Sequence, residues 1–172
     1  MATKTEKPDA IALLKADHRK VEDLFEKFES AKSDSVKKTL AMQICTELTV
    51  HAMIEEEIFY PAFLQATEDK DMHHEAQVEH AGAKKLIAEI EDSGPSDDYY
   101  DAKVKVLSEM IKHHVKEEEQ PGGMFAEARK SDMDLGTLGA QLKARKRELM
   151  NGSGSPAERR KSAVADERAL NV

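Results

Sequence analysis

Two His-x-x-x-Glu pairs carry the clearest chemistry in this chain: His51 with Glu55, and His114 with Glu118. A spacing of four places both members of a pair on one face of a helix, and here that face is otherwise apolar. Imidazole nitrogen and carboxylate oxygen are metal ligands, and this mixture without thiolate favours iron, then manganese or zinc. An uncompensated buried carboxylate costs several kcal/mol, so we expect a bound cation to offset it.

An internal repeat adds two histidines to this set. A shift of 62 residues lays the first helical segment on the third and places His18 on His80, whereas a shift of 63 lays the second segment on the fourth and aligns the two His-x-x-x-Glu pairs. The chain therefore consists of two helical hairpins of one design. The predicted metal ligands are His18, His51, Glu55, His80, His114 and Glu118.

The repeat also decides which histidine of "IKHHVKEEE" faces inward. The stripe of His114 continues through the apolar residues Ile111 and Leu107, whereas the stripe of His113 reaches Lys103. We therefore expect His113 at the edge of the bundle or in solvent. Two inward carboxylates with two oxygens each can bridge two metals about 3.5–4 Å apart, so the pattern predicts a dinuclear centre.

The elements that must position these residues are helices. Apolar residues recur with helical periodicity over about 9–31, 34–66, 69–92 and 96–119, and more weakly over 131–150. No stretch alternates with period two, so we expect an all-α fold: an antiparallel up-down-up-down four-helix bundle with an additional C-terminal helix and a flexible tail. The predicted domain boundaries are 1–128 for the bundle, 129–150 for the accessory helix and 151–172 for the tail.

The amino-acid composition limits the classes of binding partner and the cellular compartment that we expect. The 172 residues carry a formal net charge of −8, which argues against a nucleic-acid or anionic-membrane surface. Cys45 is the single cysteine, so a thiolate metal cage and an intramolecular disulfide are excluded. The first ten residues lack the apolar core of a signal peptide, and no run approaches the roughly 18 apolar residues of a membrane span. We expect a cytoplasmic protein.

The segments "LLKADHRKVEDLF", "HAMIEEEIFYP", "EHAGAKKLIAEIE" and "HHVKEEE" resemble, in order, the four helix motifs of the hemerythrin-like family, or HHE cation-binding domain, over about residues 11–120. The resemblance implies a four-helix bundle with a non-haem di-iron centre. The positions that match the family's ligands are the six residues above. In the oxygen-carrying members, two carboxylates bridge the irons and an open coordination position on one iron binds dioxygen.

The chain departs from the oxygen carriers of that family in two ways. Carriers place a second histidine four residues from the first on the third helix, whereas Ala76 and Lys84 lie four residues from His80. Carriers also use a bridging Asp on the fourth helix, where this chain has Glu118. One ligand position is thus unassigned, and the departures disfavour simple reversible oxygen carriage. The candidates for that position are Glu75, Gln77, Glu79 and a water molecule.

The leading hypothesis is a di-iron protein whose centre binds or reacts with dioxygen, peroxide or nitric oxide in sensing or stress protection. One iron would take His18 and His51, and the other His80 and His114. Weak peroxidase- or catalase-like turnover is compatible with such a centre, and the sequence leaves the enzymatic status and the oligomeric state open. The alternative is an iron buffer or an iron-dependent regulatory module without redox turnover, with the C-terminal helix contacting a protein partner.

Overall fold

The computed structural model describes residues 8–152, and every regular element in that range is helical. The all-α prediction is confirmed: a helical bundle carries an additional C-terminal helix. None of the described helices has both the length and the apolar character needed to cross a membrane. The predicted tail lies outside the described residues apart from 151 and 152. The elements are α1 (Ala10–Ser30), α2 (Asp34–Ile54), a π-helical turn (Glu55–Phe59), α3 (Tyr60–Thr67), α4 (Lys70–Glu91), α5 (Tyr100–Glu119), α6 (Met124–Lys130) and α7 (Leu135–Asn151).

Short polar residues set where most helices begin. The side chains of Asp9, Ser33, Asp69 and Asp134 each accept a hydrogen bond from a backbone N–H in the first turn of the following helix. The fourth bundle helix begins at Tyr100 rather than at the predicted residue 96. The difference arises because residues 94–100 form hydrogen-bonded turns, in which the carbonyl of Asp97 accepts from the backbone N–H of Tyr100 at 3.0 Å.

The predicted long second helix is continuous, but a π-helical turn interrupts its regular register. Pro61 follows this turn; it has no N–H to donate and its ring crowds the carbonyl four residues earlier, which disfavours a regular α-helix. The backbone N–H of Tyr60 donates instead to the carbonyl of Glu55, five residues back. Tyr60 is therefore carried onto the same inward face as Glu55.

Two apolar clusters lie on either side of the predicted ligands. Along α1, for example, His18 falls between Leu14 of one cluster and Val21 of the other. The buried members of the first cluster come from α1, α2, α4 and α5. The second cluster also takes Met124, Phe125 and Ala128 from α6, a helix that the sequence analysis did not predict, and residues from α7.

The apolar stripe of α7 faces the bundle. Leu142 is fully buried in the second apolar cluster, and Leu135, Leu138 and Leu149 pack against that cluster. Gly139 allows a close approach to the start of α1, because a Cβ atom there would lie 2.8 Å from the backbone nitrogen of Ala10. The predicted accessory helix thus packs directly on the bundle.

Candidate metal centre

The structure brings the six predicted ligands together in the bundle interior. All six side chains belong to buried residues, the most exposed being His51 at 7%. Their donor atoms form two groups that share a carboxylate, with the atoms of each group within 4.8 Å of one another. The groups are His18, His51, Glu55 and Glu118 on one side, and Glu55, His80 and His114 on the other.

The imidazoles are arranged as two pairs. The Nε2 atoms of His18 and His51 lie 3.1 Å apart, and the Nε2 atoms of His80 and His114 are also 3.1 Å apart. Two ligands at about 2.1 Å from one metal ion, at right angles, would be separated by about 3 Å. Each pair therefore has the spacing expected of two ligands of one ion.

Each inward carboxylate extends from one imidazole pair to the other. Glu55 has its Oε1 3.1 Å from His51 Nε2 and its Oε2 3.3 Å from His80 Nε2. Glu118 repeats the arrangement with the remaining two imidazoles, at 3.3 Å and 3.5 Å. Each carboxylate thus presents one oxygen to each imidazole pair, as a carboxylate that bridges two metal ions would do.

A second layer of carboxylates orients the imidazoles. The four Nδ1 atoms pair with carboxylate oxygens as follows: His18 with Glu119 at 2.7 Å, His51 with Asp17 at 3.3 Å, His80 with Glu56 at 2.9 Å, and His114 with Glu79 at 2.6 Å. With Nδ1–H donating outward, the Nε2 lone pair of each ring faces the centre. The internal repeat relates Asp17 to Glu79 and Glu56 to Glu119. The sequence analysis assigned no role to Glu56 and Glu119.

Every outer carboxylate has a basic partner of its own. Glu119 pairs with Arg19 at 2.8 Å, Glu56 with Lys84 at 2.6 Å, Glu79 with His113 at 3.2 Å, and Asp17 with Lys146 of α7. His113 is 62% exposed, as its expected edge position requires. The carboxylates are thus held on both sides, which restricts the imidazole rings.

Electrostatics at the centre favour positive charge. Burial favours the neutral form of His51, but the carboxylates of Glu55 and Asp17 outweigh it and raise the pKa of His51 to about 10. The same balance, with Glu55 and Glu56, raises the pKa of His80 to about 9. Burial alone would raise the pKa of Glu55, yet the two imidazoles hold it well below its usual value. A metal ion would displace these protons, so binding would depend on pH.

Two buried carboxylate oxygens at the centre lack hydrogen-bond partners. Within residues 8–152, Glu55 Oε1 and Glu118 Oε2 are inaccessible to solvent and receive no hydrogen bond. These are the oxygens that face His51 and His18. Buried carboxylate oxygens are costly unless a cation lies beside them, and either protonated imidazoles or a bound metal ion supplies that charge here, so the residues present fit a metal centre.

Tyr60 belongs to the centre, although the sequence analysis missed it. Its buried hydroxyl lies 3.1 Å from Glu118 Oε1 and from His80 Nε2, 3.2 Å from Glu55 Oε2 and 3.4 Å from His114 Nε2. Burial, together with the two carboxylates, holds the pKa of Tyr60 well above its usual value. The available signal was the proline directly after it in "EEEIFYP", which shifts the helical register.

Tyr60 lies where the sequence left a ligand unassigned. Of the candidates on α4, Glu79 bonds His114 Nδ1 from outside, Glu75 is exposed, and the exposed Gln77 lies beside His73. The hydroxyl oxygen of Tyr60 thus lies where it could serve as a further ligand atom for the His80–His114 half of the centre.

A small apolar cavity opens beside the imidazoles. Its volume is about 30 Å³, and all four ligand histidines line it. Its other walls include Val21, Leu48, Ala83, Ile87, Ile111 and Val115. A cavity of this kind needs about 10–15 Å³ to hold one water molecule, so it suits a very small ligand.

Residues 9–121 match the family model of the hemerythrin HHE cation binding domain. The chain belongs to this family. The HHE domain ends before α6, so α6 and α7 lie beyond the matched residues.

A solved structure and a curated relative resemble the chain. The HHE cation binding domain-containing protein from Mycobacterium kansasii, an Rv2633c homolog, superposes with a TM-score of 0.73 at 22% identity, over 89% of this chain and 98% of that one. This likeness shows the fold. A DNA nickase from Nostoc sp. (strain PCC 7120) is 27% identical over 147 residues, which are 84% of this chain but 41% of the nickase. The HHE chain therefore spans less than half of that relative.

Proposed function

We propose that this HHE domain holds two non-haem iron ions and acts in the cytoplasm as a centre that binds or reacts with dioxygen, peroxide or nitric oxide, in sensing or stress protection. The observation that carries the proposal is the convergence of four imidazole Nε2 atoms and two carboxylates, with all four imidazoles also lining an apolar cavity of about 30 Å³. Iron bound there would supply redox chemistry and a coordination position for the small ligand.

The donor set supports iron. Four imidazole nitrogens and two carboxylates without a thiolate form a mixed nitrogen and oxygen environment, which suits iron better than a soft metal. His18 and His51 would hold one ion, His80 and His114 the other, and Glu55 and Glu118 would bridge them.

The cavity supports a small and uncharged ligand. Most of its walls are aliphatic, and its polar lining side chains, the four histidines, Asp17 and Lys84, are already paired with other groups, so a charged or polyhydroxylated substrate would lose most of its hydration without compensation. The cavity has room for only about two molecules of the size of water, which is too little for an organic substrate with many heavy atoms. Dioxygen and nitric oxide satisfy both conditions, and neutral hydrogen peroxide satisfies the condition of size.

The two halves offer different numbers of donors. When both carboxylates are counted in each half, the His80–His114 half also has the oxygen of Tyr60 beside its two imidazoles, whereas no hydroxyl oxygen forms a hydrogen bond with His18 or His51 among the described residues. Fewer protein donors leave more room for an external ligand. We therefore assign ligand binding to the His18–His51 half.

The test is a metal inventory followed by exposure to the ligands. The purified chain is loaded anaerobically with ferrous iron, iron per chain is measured, and ultraviolet and visible spectra are recorded as air, peroxide or nitric oxide is admitted. We expect about two irons and a spectral change with at least one ligand. A folded chain that takes up no iron would refute the proposal. Two irons without any spectral response would favour an iron buffer or an iron-dependent regulatory module instead.

His113 and His114 supply the matched control for this test. His114→Ala removes an inward donor, whereas His113→Ala changes the same residue type one position away, on the exposed side of α5. Iron content should fall in His114→Ala and stay near two in His113→Ala. Equal losses in both variants would contradict the assigned ligand set.

A further inference from the structure

Residues 124–151, which comprise α6 and α7, contact one half of the centre through side chains that the other half lacks. We propose that this C-terminal cap holds the His18–His51 position in its binding geometry, with Lys146 as a positioning residue, so that the two metal positions differ in affinity. The inference depends on the proposed dinuclear centre. It concerns residues beyond the matched HHE domain, which ends at residue 121.

The first contact is a chain of charged hydrogen bonds from α7 to a ligand. Lys146 Nζ donates to Asp17 Oδ1, and Asp17 Oδ2 lies 3.3 Å from His51 Nδ1. The side chain of Asp17 is only 10% exposed, so the lysine is the partner that offsets its charge on the outer side. Fixing both oxygens of Asp17 restricts rotation of the His51 ring and keeps its Nε2 directed at the metal position.

The second contact is aromatic. The ring of Phe125 on α6 stacks on the imidazole of His18 with centroids 5.8 Å apart and an interplanar angle of 8°. Phe125 is itself held edge-on by Phe59, at 5.7 Å. The cap therefore touches both histidines of one position, one through Asp17 and one directly.

The cap is anchored firmly enough to act in this way. Leu142 is fully buried, and Gly139 lets α7 approach the backbone of α1. Arg145 makes a bidentate ion pair with Glu57, at 2.7 Å and 3.1 Å, which joins α7 to the π-helical turn. The anchoring contacts are separate from the Lys146–Asp17 bond, so the two roles can be tested separately.

The His80–His114 position depends on residues of the bundle itself. The carboxylate behind His80 pairs with Lys84 on α4, and the carboxylate behind His114 pairs with His113 on α5. Movement of the cap would leave both of these pairs intact. Loss of the cap contact should thus weaken one metal position and spare the other.

The test compares Lys146→Met with Lys84→Met in the full chain. Methionine retains an unbranched apolar side chain and removes the charge. Ferrous iron is titrated anaerobically against a competing chelator, which yields two stepwise affinities. We expect Lys146→Met to weaken one of them by about 10–100-fold and leave the other unchanged, as a lost outer-shell partner typically does. Lys146→Arg should restore the wild-type value, and Lys143→Met on the exposed side of α7 should have no effect.

Ligand variants identify which position responds. In His80→Ala, which retains His18 and His51, the effect of Lys146→Met should persist. In His51→Ala it should vanish, while the effect of Lys84→Met remains. Unchanged affinities in Lys146→Met, or equal weakening of both positions, would overturn the inference even though the wild type binds two ions. A wild type that binds no iron would overturn the proposed function as well.

Discussion

The two halves of the candidate metal centre are related by the internal repeat, yet their surroundings differ. Each half has one histidine from the first helix of a hairpin and one from the second, and each histidine has an outer carboxylate. The His80–His114 half has Tyr60 in addition, whereas the His18–His51 half has Lys146 and Phe125 of the C-terminal cap. The repeated helices supply what is common to both, and the segments outside the repeat supply the differences.

The divergence begins at equivalent places in the two hairpins. After Glu55 the chain continues through the π-helical turn and brings Tyr60 inward. At the equivalent place, 63 residues later, stands Gly123. Gly122 has a φ of 77°, and a Cβ atom on Gly123 would lie 2.2 Å from the carbonyl oxygen of Glu117. The glycines permit a sharp turn, which ends α5 and directs α6 back over His18.

The largest expected effect comes from changing Glu55, a carboxylate that the two halves share. Glu55→Gln keeps the shape of the side chain but removes the charge that faces both imidazole pairs. Breaking such a buried charge interaction costs about 3–5 kcal/mol, so both iron affinities should fall by at least about a hundredfold. Iron per chain after gel filtration measures this. Glu109→Gln, on the exposed side of α5, is the control and should retain two irons. Loss at a single position would mean that Glu55 does not bridge.

The next largest effect is expected from a change in the C-terminal cap, which contacts the His18–His51 half of the centre. Phe125→Ala should lower the free energy of unfolding by about 3 kcal/mol, because it removes a buried aromatic ring. It should also weaken iron binding at the His18–His51 position alone. Urea denaturation and iron titration measure the two effects. Tyr99→Ala removes an aromatic ring that is 71% exposed and should change stability by less than about 0.5 kcal/mol. An unchanged pair of affinities in Phe125→Ala would argue against stacking on His18 as a positioning contact.

Tyr60→Phe tests the contact that is found in the His80–His114 half of the centre. The ring remains and the hydroxyl is lost, so the two carboxylate oxygens and two imidazole nitrogens around it lose their contact with the hydroxyl. We expect the affinity of the His80–His114 position to fall about tenfold, in line with the loss of one buried polar contact. Titration of ferrous iron in the His51→Ala background isolates this position. The same loss in the His80→Ala background would show that Tyr60 does not distinguish the halves.

The smallest expected effect comes from the most exposed of the basic residues that pair with the outer carboxylates. His113→Ala removes the partner of Glu79, but His113 is 62% exposed and water replaces it readily. Its effect on iron affinity should be about threefold or less. Lys146→Met removes the corresponding partner of Asp17, where the lysine side chain is 23% exposed, and should have the larger effect. Equal effects of the two variants would show that burial does not set the difference.

Local pattern within the sequence was sufficient to predict the four bundle helices, the accessory helix and the six inward residues, although it missed α6. Helical periodicity depends on neighbours three and four residues apart, so His51 with Glu55, and His114 with Glu118, could be placed on inward faces without a structure. The repeat then located His18 and His80. Ser33 and Asp69 marked helix starts because N-capping is also a local interaction.

The tertiary structure decided the residues that make the halves unequal. Tyr60 faces the centre only because the π-helical turn shifts the register by one residue, and periodicity over a regular helix directs it elsewhere. Glu119 pairs with His18 across 101 positions, and Lys146 reaches Asp17 across 129. Such contacts depend on how helices are packed, which no local spacing encodes. The sequence by itself determined which residues face inward, and packing determined which side chains surround them.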